Sequence, residues 1–167
     1  EPVDADHRPV PPGELSHTVL VSNLANRVQP VLRYDLGDSV LLRPDLCPCG
    51  SPFPAIRVQG RTADVLTFPT SHGEHVSISP MRFGVLLDGV PGIEQFQLVQ
   101  TTPTTLRVRL QPGNGADIDR VWQTVRAEIT QLLTEHKVDD ISLERADEPP
   151  QHAPSGKYRR IIPVSTP

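Results

Sequence analysis

ADIDRVWQTVRAEITQLLTEH, residues 116–136, is the most regular segment of this 167-residue chain. Its large apolar side chains recur every three or four positions: Ile118, Val121, Trp122, Val125, Ile129, Leu132 and Leu133. This period places them along one face of an α-helix and leaves polar residues on the opposite face. The segment therefore predicts a long amphipathic helix, and we expect Trp122 to pack in its apolar stripe.

The segments around this helix predict a sheet and a second helix. Residues 93–101 and 105–110 are suited to a β-hairpin, and residues 141–144 add a further strand. A shorter helix is expected to begin near Ser79-Pro80 and to stop at Asp88-Gly89, because Ser is a good N-cap and Pro a good first-turn residue. Together these elements predict an α+β sandwich with helices on one face of the sheet.

The first part of the chain has a different pattern, in which short β-branched runs are broken by turn signals. The runs cover residues 18–22, 28–34, 39–42 and 55–58. They predict an antiparallel sheet or a partial barrel. The predicted fold class of the whole chain is α+β, with a small antiparallel β subdomain in residues 1–61 and a compact α+β domain in residues 62–167.

Length and charge exclude several classes of function. A chain of this size can bury a core, as one compact domain or as two small ones. The formal net charge is -4 and both signs are interspersed, so no basic surface would attract nucleic acid. No apolar run is long enough to cross a membrane, and no secretory leader is recognisable. We expect a soluble, cytoplasmic protein that binds neither nucleic acid nor membrane.

Polar motifs at three places suggest nucleotide chemistry. Asp38 follows a glycine at the end of the segment RYDLGD, where a carboxylate can accept hydrogen bonds from two vicinal hydroxyls. Arg61, in GRTAD, offers planar donors for ribose oxygens or phosphate. Lys157, in SGKYRR, is a compact charge that a loop could bring to developing negative charge. Taken singly, Asp38 is more typical of a turn carboxylate than of a ligand-binding one, and Lys157 is typical of a solvated tail.

In this order and at these intervals, the motifs resemble the C-terminal part of the adenylate-forming enzymes, and within them the phenylacetate-CoA ligase branch. The resemblance covers essentially the whole chain. It implies that Asp38, Arg61 and Tyr34 bind the nucleotide and that Lys157 is catalytic. The parent enzyme would use ATP and Mg²⁺ to convert a carboxylic acid to an acyl-adenylate, and would then pass the acyl group to CoA.

The same resemblance implies how the chain is divided. Residues 1–61 would end the N-terminal adenylation domain, and residues 62–167 would form the mobile C-terminal domain, with the hinge at Ala63 and Asp64. This chain departs from the family at Ala63, where a charged residue is usual, and in its histidine-bearing loop at residues 71–75. The family's phosphate-binding loop and acyl pocket lie in the N-terminal domain. Neither is found here, so we expect a fragment that is inactive alone.

Other interpretations stay open at this point. Related branches of the family act on deazaflavin cofactors or polysaccharide precursors, and the sequence does not identify the acyl substrate. A contrasting hypothesis is a noncatalytic α+β binding or regulatory module, although the joint presence of Asp38, Arg61 and Lys157 favours an enzyme. Arg159 and Arg160 could recruit the phosphates of ATP or CoA, or could simply belong to a basic tail.

Cys47 and Cys49 raise the question of a metal. Cys-Pro-Cys-Gly could supply half of a zinc knuckle, and the remaining ligands would have to come from His17, His72, His75 or residues outside this chain. A disulfide between two cysteines this close would be strained. We favour reduced thiols over zinc, and expect His72 and His75 to be solvated loop residues.

Overall fold

The computed structural model describes residues 1–153 and 156–164, and the chain divides into two compact units, Glu1–Ala63 and Asp64–Pro167. A 3-10 turn at Thr62–Asp64 contains the boundary. The first unit is built from strands, and the second combines strands with helices. The predicted α+β class is therefore confirmed. Neither helix of the described residues combines the length and apolar character that crossing a membrane requires.

The first unit is an antiparallel β structure. Strands β1 (Pro2–Val3), β2 (Thr18–Asn23) and β3 (Val31–Asp35) form a sheet in that order. Strands β4 (Asp38–Leu42) and β5 (Ile56–Arg61) form a two-stranded antiparallel ribbon, and β4 also contacts β1 and β2. The predicted antiparallel pattern is confirmed, in the form of a sheet and a ribbon.

Strand β3 starts later than predicted, at Val31 instead of Val28. The side chain of Asn26 accepts hydrogen bonds from the amides of Val28 and Gln29, each at 3.1 Å. This local turn competes with strand pairing, as Asn side chains commonly do. Val28 is consequently 96% exposed.

The second unit begins with a hairpin that the sequence analysis did not predict. Strands β6 (Leu66–Pro69) and β7 (His75–Ile78) pair antiparallel, and each is only four residues long. Leu66 and Phe68 point into the core and are fully buried. The alternating pattern is therefore present but too short to be distinctive. His75 lies in a strand, which corrects its predicted loop position, although both His72 and His75 are exposed as expected.

Both predicted helices form, and the predicted N-cap of the first helix, Ser79, is confirmed. Helix α1 (Pro80–Asp88) has Ser79 as N-cap, and the Ser79 hydroxyl accepts a hydrogen bond from the Met81 amide at 3.3 Å. Helix α2 (Ile118–Glu135) has Asp117 as N-cap, whose carboxylate accepts from the Asp119 amide at 3.0 Å. Each cap satisfies an amide that the helix leaves unpaired.

The predicted hairpin forms the centre of a mixed four-stranded sheet. Strands β8 (Ile93–Thr102) and β9 (Thr105–Pro112) are antiparallel to each other. The outer strands β10 (Ser142–Arg145) and β11 (Ile161–Ile162) run parallel to β9 and β8 respectively. The sheet order is β10-β9-β8-β11. Strand β11 has only two residues, and the sequence analysis did not predict it.

The core of the second unit is apolar and lies between this sheet, the β6–β7 hairpin and the helices. Trp122 is partly buried and packs against it, as expected. The large side chains that are completely or almost completely buried are Leu66, Phe68, Ile78, Phe83, Leu87, Leu98, Leu106 and Ile129. The apolar face of α2 predicted from its periodicity is therefore the face that the core covers.

Candidate nucleotide-binding and catalytic residues

Asp38 and Arg61 lie directly opposite each other in the ribbon of the first unit. They are Cα partners at the end of the antiparallel β4–β5 register. Directly opposed residues share one face of a pair of strands, with Cβ atoms about 4.5–5.5 Å apart. The ribbon therefore brings together two candidate residues that are far apart in sequence.

Glycines flank both residues and shape the backbone around them. Gly37, immediately before Asp38, has φ 71°, and Gly60, immediately before Arg61, has φ 103°. The register shifts between Ser39 and Val40, which indicates a bulge next to the opposed pair. Positive φ is accessible to glycine without steric cost, and bulges commonly redirect side chains at sites. The glycines thus allow the ribbon to end with both charged side chains at one edge.

Asp35 holds the turn that leads into Asp38, a role that the sequence analysis missed. Its carboxylate accepts hydrogen bonds from the Thr18 hydroxyl and, at 2.8 Å, from the Gly37 amide. These two hydrogen bonds, that from Thr18 above all, hold the pKa of Asp35 below its usual value of 3.8. Asp followed two residues later by Gly is a known turn signal that could have identified this role.

The Asp38 and Arg61 side chains remain available to a ligand. Asp38 is partly buried and Arg61 is exposed. Within residues 1–153 and 156–164, neither side chain has a hydrogen bond or an ion pair. Tyr34 lies on β3, before the Asp35–Gly37 turn, and its side chain is 61% exposed. An acceptor and a fork of donors at one edge could bind a ligand that carries hydroxyls.

Lys157 belongs to the second unit, where it lies between β10 and β11. The Ala153 amide donates to the Lys157 carbonyl at 2.9 Å, and the Gly156 amide donates to the Ala153 carbonyl at 2.8 Å. A bridge between His152 and Tyr158 closes the loop. Lys157 is exposed, and no hydrogen bond or ion pair of its side chain is present in the described part of the chain. Ser155, the first residue of the predicted motif, lies outside the described residues.

The residues after Lys157 are fixed to the body of the unit. The Tyr158 hydroxyl donates to the Phe96 carbonyl, and Arg159 forms an ion pair with Asp64. The pKa of Tyr158 is raised, chiefly by burial.

Arg160 forms an ion pair with Asp88 and stacks on the Phe96 ring, with 4.2 Å between guanidinium carbon and ring centroid. Both arginines therefore pair with acidic side chains of this unit. The sequence analysis had considered instead that they bind phosphates of ATP or CoA, or that they belong to a basic tail. The loop is also more firmly anchored than predicted.

The two hinge candidates meet at the division between the units. Ala63 is the last residue of the first unit and is exposed, and Asp64 is the first residue of the second. The Asp64 side chain is only 15% exposed, because it pairs with Arg159. A hinge at these residues stays a prediction.

Cys47 and Cys49 lie in the loop between β4 and β5, with their sulfur atoms 2.7 Å apart. The Cys47 thiol, and then the Ser51 amide, lower the pKa of Cys49. No cluster of three or more potential metal-binding side chains occurs among the residues that the structure describes. Two thiols are half of a tetrahedral zinc site, so the preference for reduced thiols stays a prediction.

Comparison with solved structures identifies the fold. No protein-family model and no curated protein matches the chain. The chain is 25% identical to a 2-hydroxyisobutyryl-CoA ligase in the postadenylation state in complex with R3-HIB-AMP, with a TM-score of 0.65, over 98% of this chain and 35% of that one. For the 2-HIB-AMP complex the identity is 26% and the TM-score 0.64, with the same coverage.

A more distant structure shares the same fold. Acetoacetyl-CoA synthetase from Streptomyces lividans is 14% identical, with a TM-score of 0.58, over 96% of this chain and 25% of that one. These similarities confirm the predicted resemblance to the adenylate-forming enzymes. The chain spans about a third of the length of the 2-hydroxyisobutyryl-CoA ligase structures.

Proposed function

We propose that this chain, which has the fold of the adenylate-forming acyl-CoA ligases, is the C-terminal part of an ATP-dependent enzyme that activates a carboxylic acid. The observation that carries this proposal is the pair of opposed side chains Asp38 and Arg61. Their charges are not neutralised by neighbours within the described residues, and a glycine with positive φ precedes each of them. If the two residues had only a structural role, we would expect their side chains to form an ion pair with each other.

In this proposal the ribbon edge binds the ribose of ATP. The Asp38 carboxylate accepts hydrogen bonds from the two ribose hydroxyls, and Arg61 donates to oxygens of the ribose or α-phosphate. Tyr34 lies beside the nucleotide. The Asp35 turn supports this geometry, because its hydrogen bonds to Thr18 and Gly37 fix the backbone that precedes Asp38.

Lys157 acts in the adenylation step. The substrate carboxylate attacks the α-phosphorus of ATP, a phosphorus–oxygen bond forms, and pyrophosphate leaves with the electrons of the bond that breaks. Negative charge shifts on the oxygens around phosphorus, and an ammonium group near them lowers the barrier. Lys157 is suited to this role because Arg159 and Arg160 already pair with Asp64 and Asp88.

Residues 1–61 would then end the N-terminal adenylation domain, and residues 62–167 would be the C-terminal domain that moves about Ala63 and Asp64. Exposed apolar side chains in the first unit support the proposal that another domain of the parent packs against it. They include Leu24, Val28, Leu32, Leu46 and Phe53, each at least 70% exposed. We assign the covering of these side chains to the N-terminal domain.

The finer details follow from the family. We propose CoA as the acyl acceptor and a relationship to the phenylacetate-CoA ligase branch, supported by the order of the motifs and by the similar 2-hydroxyisobutyryl-CoA ligase. Mg²⁺ would neutralise the ATP phosphates, and no residue of this chain is assigned to it. A cytoplasmic location accords with ATP and CoA as substrates.

The experiment is carboxylate-dependent exchange of labelled pyrophosphate into ATP by the full-length parent, with a panel of carboxylic acids. We expect exchange with at least one acid and none without acid. Absence of exchange with every acid, from a parent that is folded and binds ATP, would favour the noncatalytic module. Formation of an acyl-CoA after exchange would separate CoA from the deazaflavin and polysaccharide acceptors.

A further inference from the structure

Gln97 on β8 is a buried amide with all of its hydrogen-bonding capacity used. Its side chain is 1% exposed. The Nε2 group donates to the Gln151 carbonyl at 2.9 Å and to the Arg159 carbonyl at 2.8 Å. The Oε1 atom accepts from Arg109 at 2.7 Å and from the Gln151 amide at 3.3 Å. Two donor hydrogens and two lone pairs are the full inventory of this side chain.

These contacts hold both ends of the loop that carries Lys157. Gln151 lies six residues before Lys157, and Arg159 lies two residues after it. The amide of Gln97 is therefore a single rigid group that fixes the separation of the two arms. Tyr158 adds a second anchor on the same strand through the Phe96 carbonyl.

The orientation of the Gln97 amide is determined by charge. Arg109 can only donate, so the atom that faces it must be the oxygen, and Nε2 must face the two carbonyls. Glu148 accepts from Arg109 at 3.1 Å and from Arg107 at 2.9 Å, which holds the Arg109 guanidinium in place. The pKa of Glu148 is lowered by its own backbone amide and by both arginines, so its carboxylate stays charged in this network.

We propose that Gln97 is a positioning residue for Lys157, which sets where the lysine ammonium lies when adenylation takes place. This inference rests on the proposed role of Lys157. Gln97 does not touch the reacting atoms. It acts through the backbone at residues 151 and 159, and a misplacement of about 1 Å is enough to slow a reaction by up to roughly 100-fold.

Gln100 provides a matched control on the same strand. It is 2% exposed, and its Nε2 donates to the carbonyls of Thr67 at 2.8 Å and Pro103 at 3.3 Å. Gln100 thus has the same residue type, strand and burial as Gln97. Its two carbonyl partners lie in the β6–β7 hairpin and the β8–β9 turn, and its Oε1 accepts from the Val164 amide at 3.5 Å, so none of these partners lies in the Lys157 loop. Gln100→Met should reproduce the general cost of losing a buried amide.

The test measures single-turnover adenylation and thioester formation by the full-length parent carrying Gln97→Met, Gln100→Met or Lys157→Ala. We expect Gln97→Met to slow adenylation by about 10-fold or more beyond Gln100→Met and to spare thioester formation from presupplied adenylate. In the Lys157→Ala background, Gln97→Met should cause no further loss, because both substitutions remove the same contribution. Equal losses in the two glutamine variants, or an additive loss in the double variant, would overturn the inference.

Hydrogen–deuterium exchange of the same parent proteins separates this inference from the proposed function. The Ala153 and Gly156 amides should exchange at least 10-fold faster in Gln97→Met and at the normal rate in Gln100→Met; unchanged exchange in Gln97→Met would reject the positioning role. If Lys157→Ala leaves adenylation unchanged, the proposed function of Lys157 fails instead. Should Gln97→Met not fold, Gln97→Glu serves as well, since it keeps the acceptors but cannot donate to either carbonyl.

Discussion

A basic side chain can serve a ligand only if nothing within the protein already satisfies it. Lys157, Arg159 and Arg160 lie within four positions of the chain, yet among the residues that the structure describes only the two arginines have acidic partners. Their ion pairs with Asp64 and Asp88 remain partly exposed to solvent, so each contributes modestly to stability, but each directs its arginine away from other roles. This difference in pairing distinguishes the candidate catalytic group from its structural neighbours.

The ribose contact can be tested at Asp38. We expect Asp38→Ala in the full-length parent to raise the KM for ATP by about 10-fold, which corresponds to one or two lost hydrogen bonds to a charged acceptor. Steady-state kinetics with varied ATP measures this effect. Asp45→Ala is the control, because Asp45 is an exposed carboxylate in the β4–β5 loop and should leave the KM unchanged. If both variants behave like the parent, Asp38 is a turn residue only.

The elements of the second unit were largely predictable, since their signals are local. The α2 stripe repeats over the whole helix, and Ser79 and Pro80 mark the start of α1 within a few residues. The β6–β7 hairpin and β11 were not predictable, because four-residue and two-residue strands give too short a pattern.

Packing between elements limits which residues can replace Gly92. Gly92 precedes β8 with φ 88°, and an added Cβ would lie 3.1 Å from the Val121 side chain and 3.2 Å from that of Ala116. Gly115 has a similar φ of 77° but open space around it. Both alanine variants should therefore lose about 1–2 kcal/mol of unfolding free energy through backbone strain.

Gly92→Ala should lose a further 1 kcal/mol or more, roughly, through overpacking against α2. Denaturant unfolding followed by the fluorescence of Trp122, the single tryptophan, reports on this unit directly. Equal destabilisation by the two substitutions would show that the Val121 contact relaxes without cost.

At the scale of the whole molecule, short motifs could nominate candidate site residues but could not predict how those residues are arranged. The identities of Asp38, Arg61 and Lys157 came from short motifs. Asp38 lies opposite Arg61 because of the β4–β5 register. Gln97 contacts the Lys157 loop through residues 54 and 62 positions away in sequence. Such pairings are determined by the tertiary fold, and no local pattern encodes them.

The isolated chain should bind ATP poorly. The nucleotide contacts proposed for it are those of Asp38, Arg61 and Tyr34, and hydrogen bonds of this kind contribute roughly 0.5–1.5 kcal/mol each. That total does not offset the entropy lost when a nucleotide is captured. Isothermal titration calorimetry should detect no binding at micromolar ATP. A micromolar affinity would mean that this chain alone contains a complete nucleotide site.

The most direct test of the proposed function is to measure the rate of each half-reaction in the full-length parent carrying Lys157→Ala. Single-turnover kinetics started from ATP plus acid should show adenylation slowed by about 10²–10³-fold, the range for losing one preorganised charged group. Arg159→Ala should slow it much less, since Arg159 is already paired with Asp64, and Arg126→Ala on the exposed face of α2 should have no effect.

Thioester formation started from presupplied acyl-adenylate should be largely spared in Lys157→Ala, because in the proposed role the lysine acts only while phosphorus is under attack. Loss of adenylation with retention of thioester formation is the result that this account predicts. Equal losses in the two half-reactions would contradict it, and would show that Lys157 supports the fold or general anion binding.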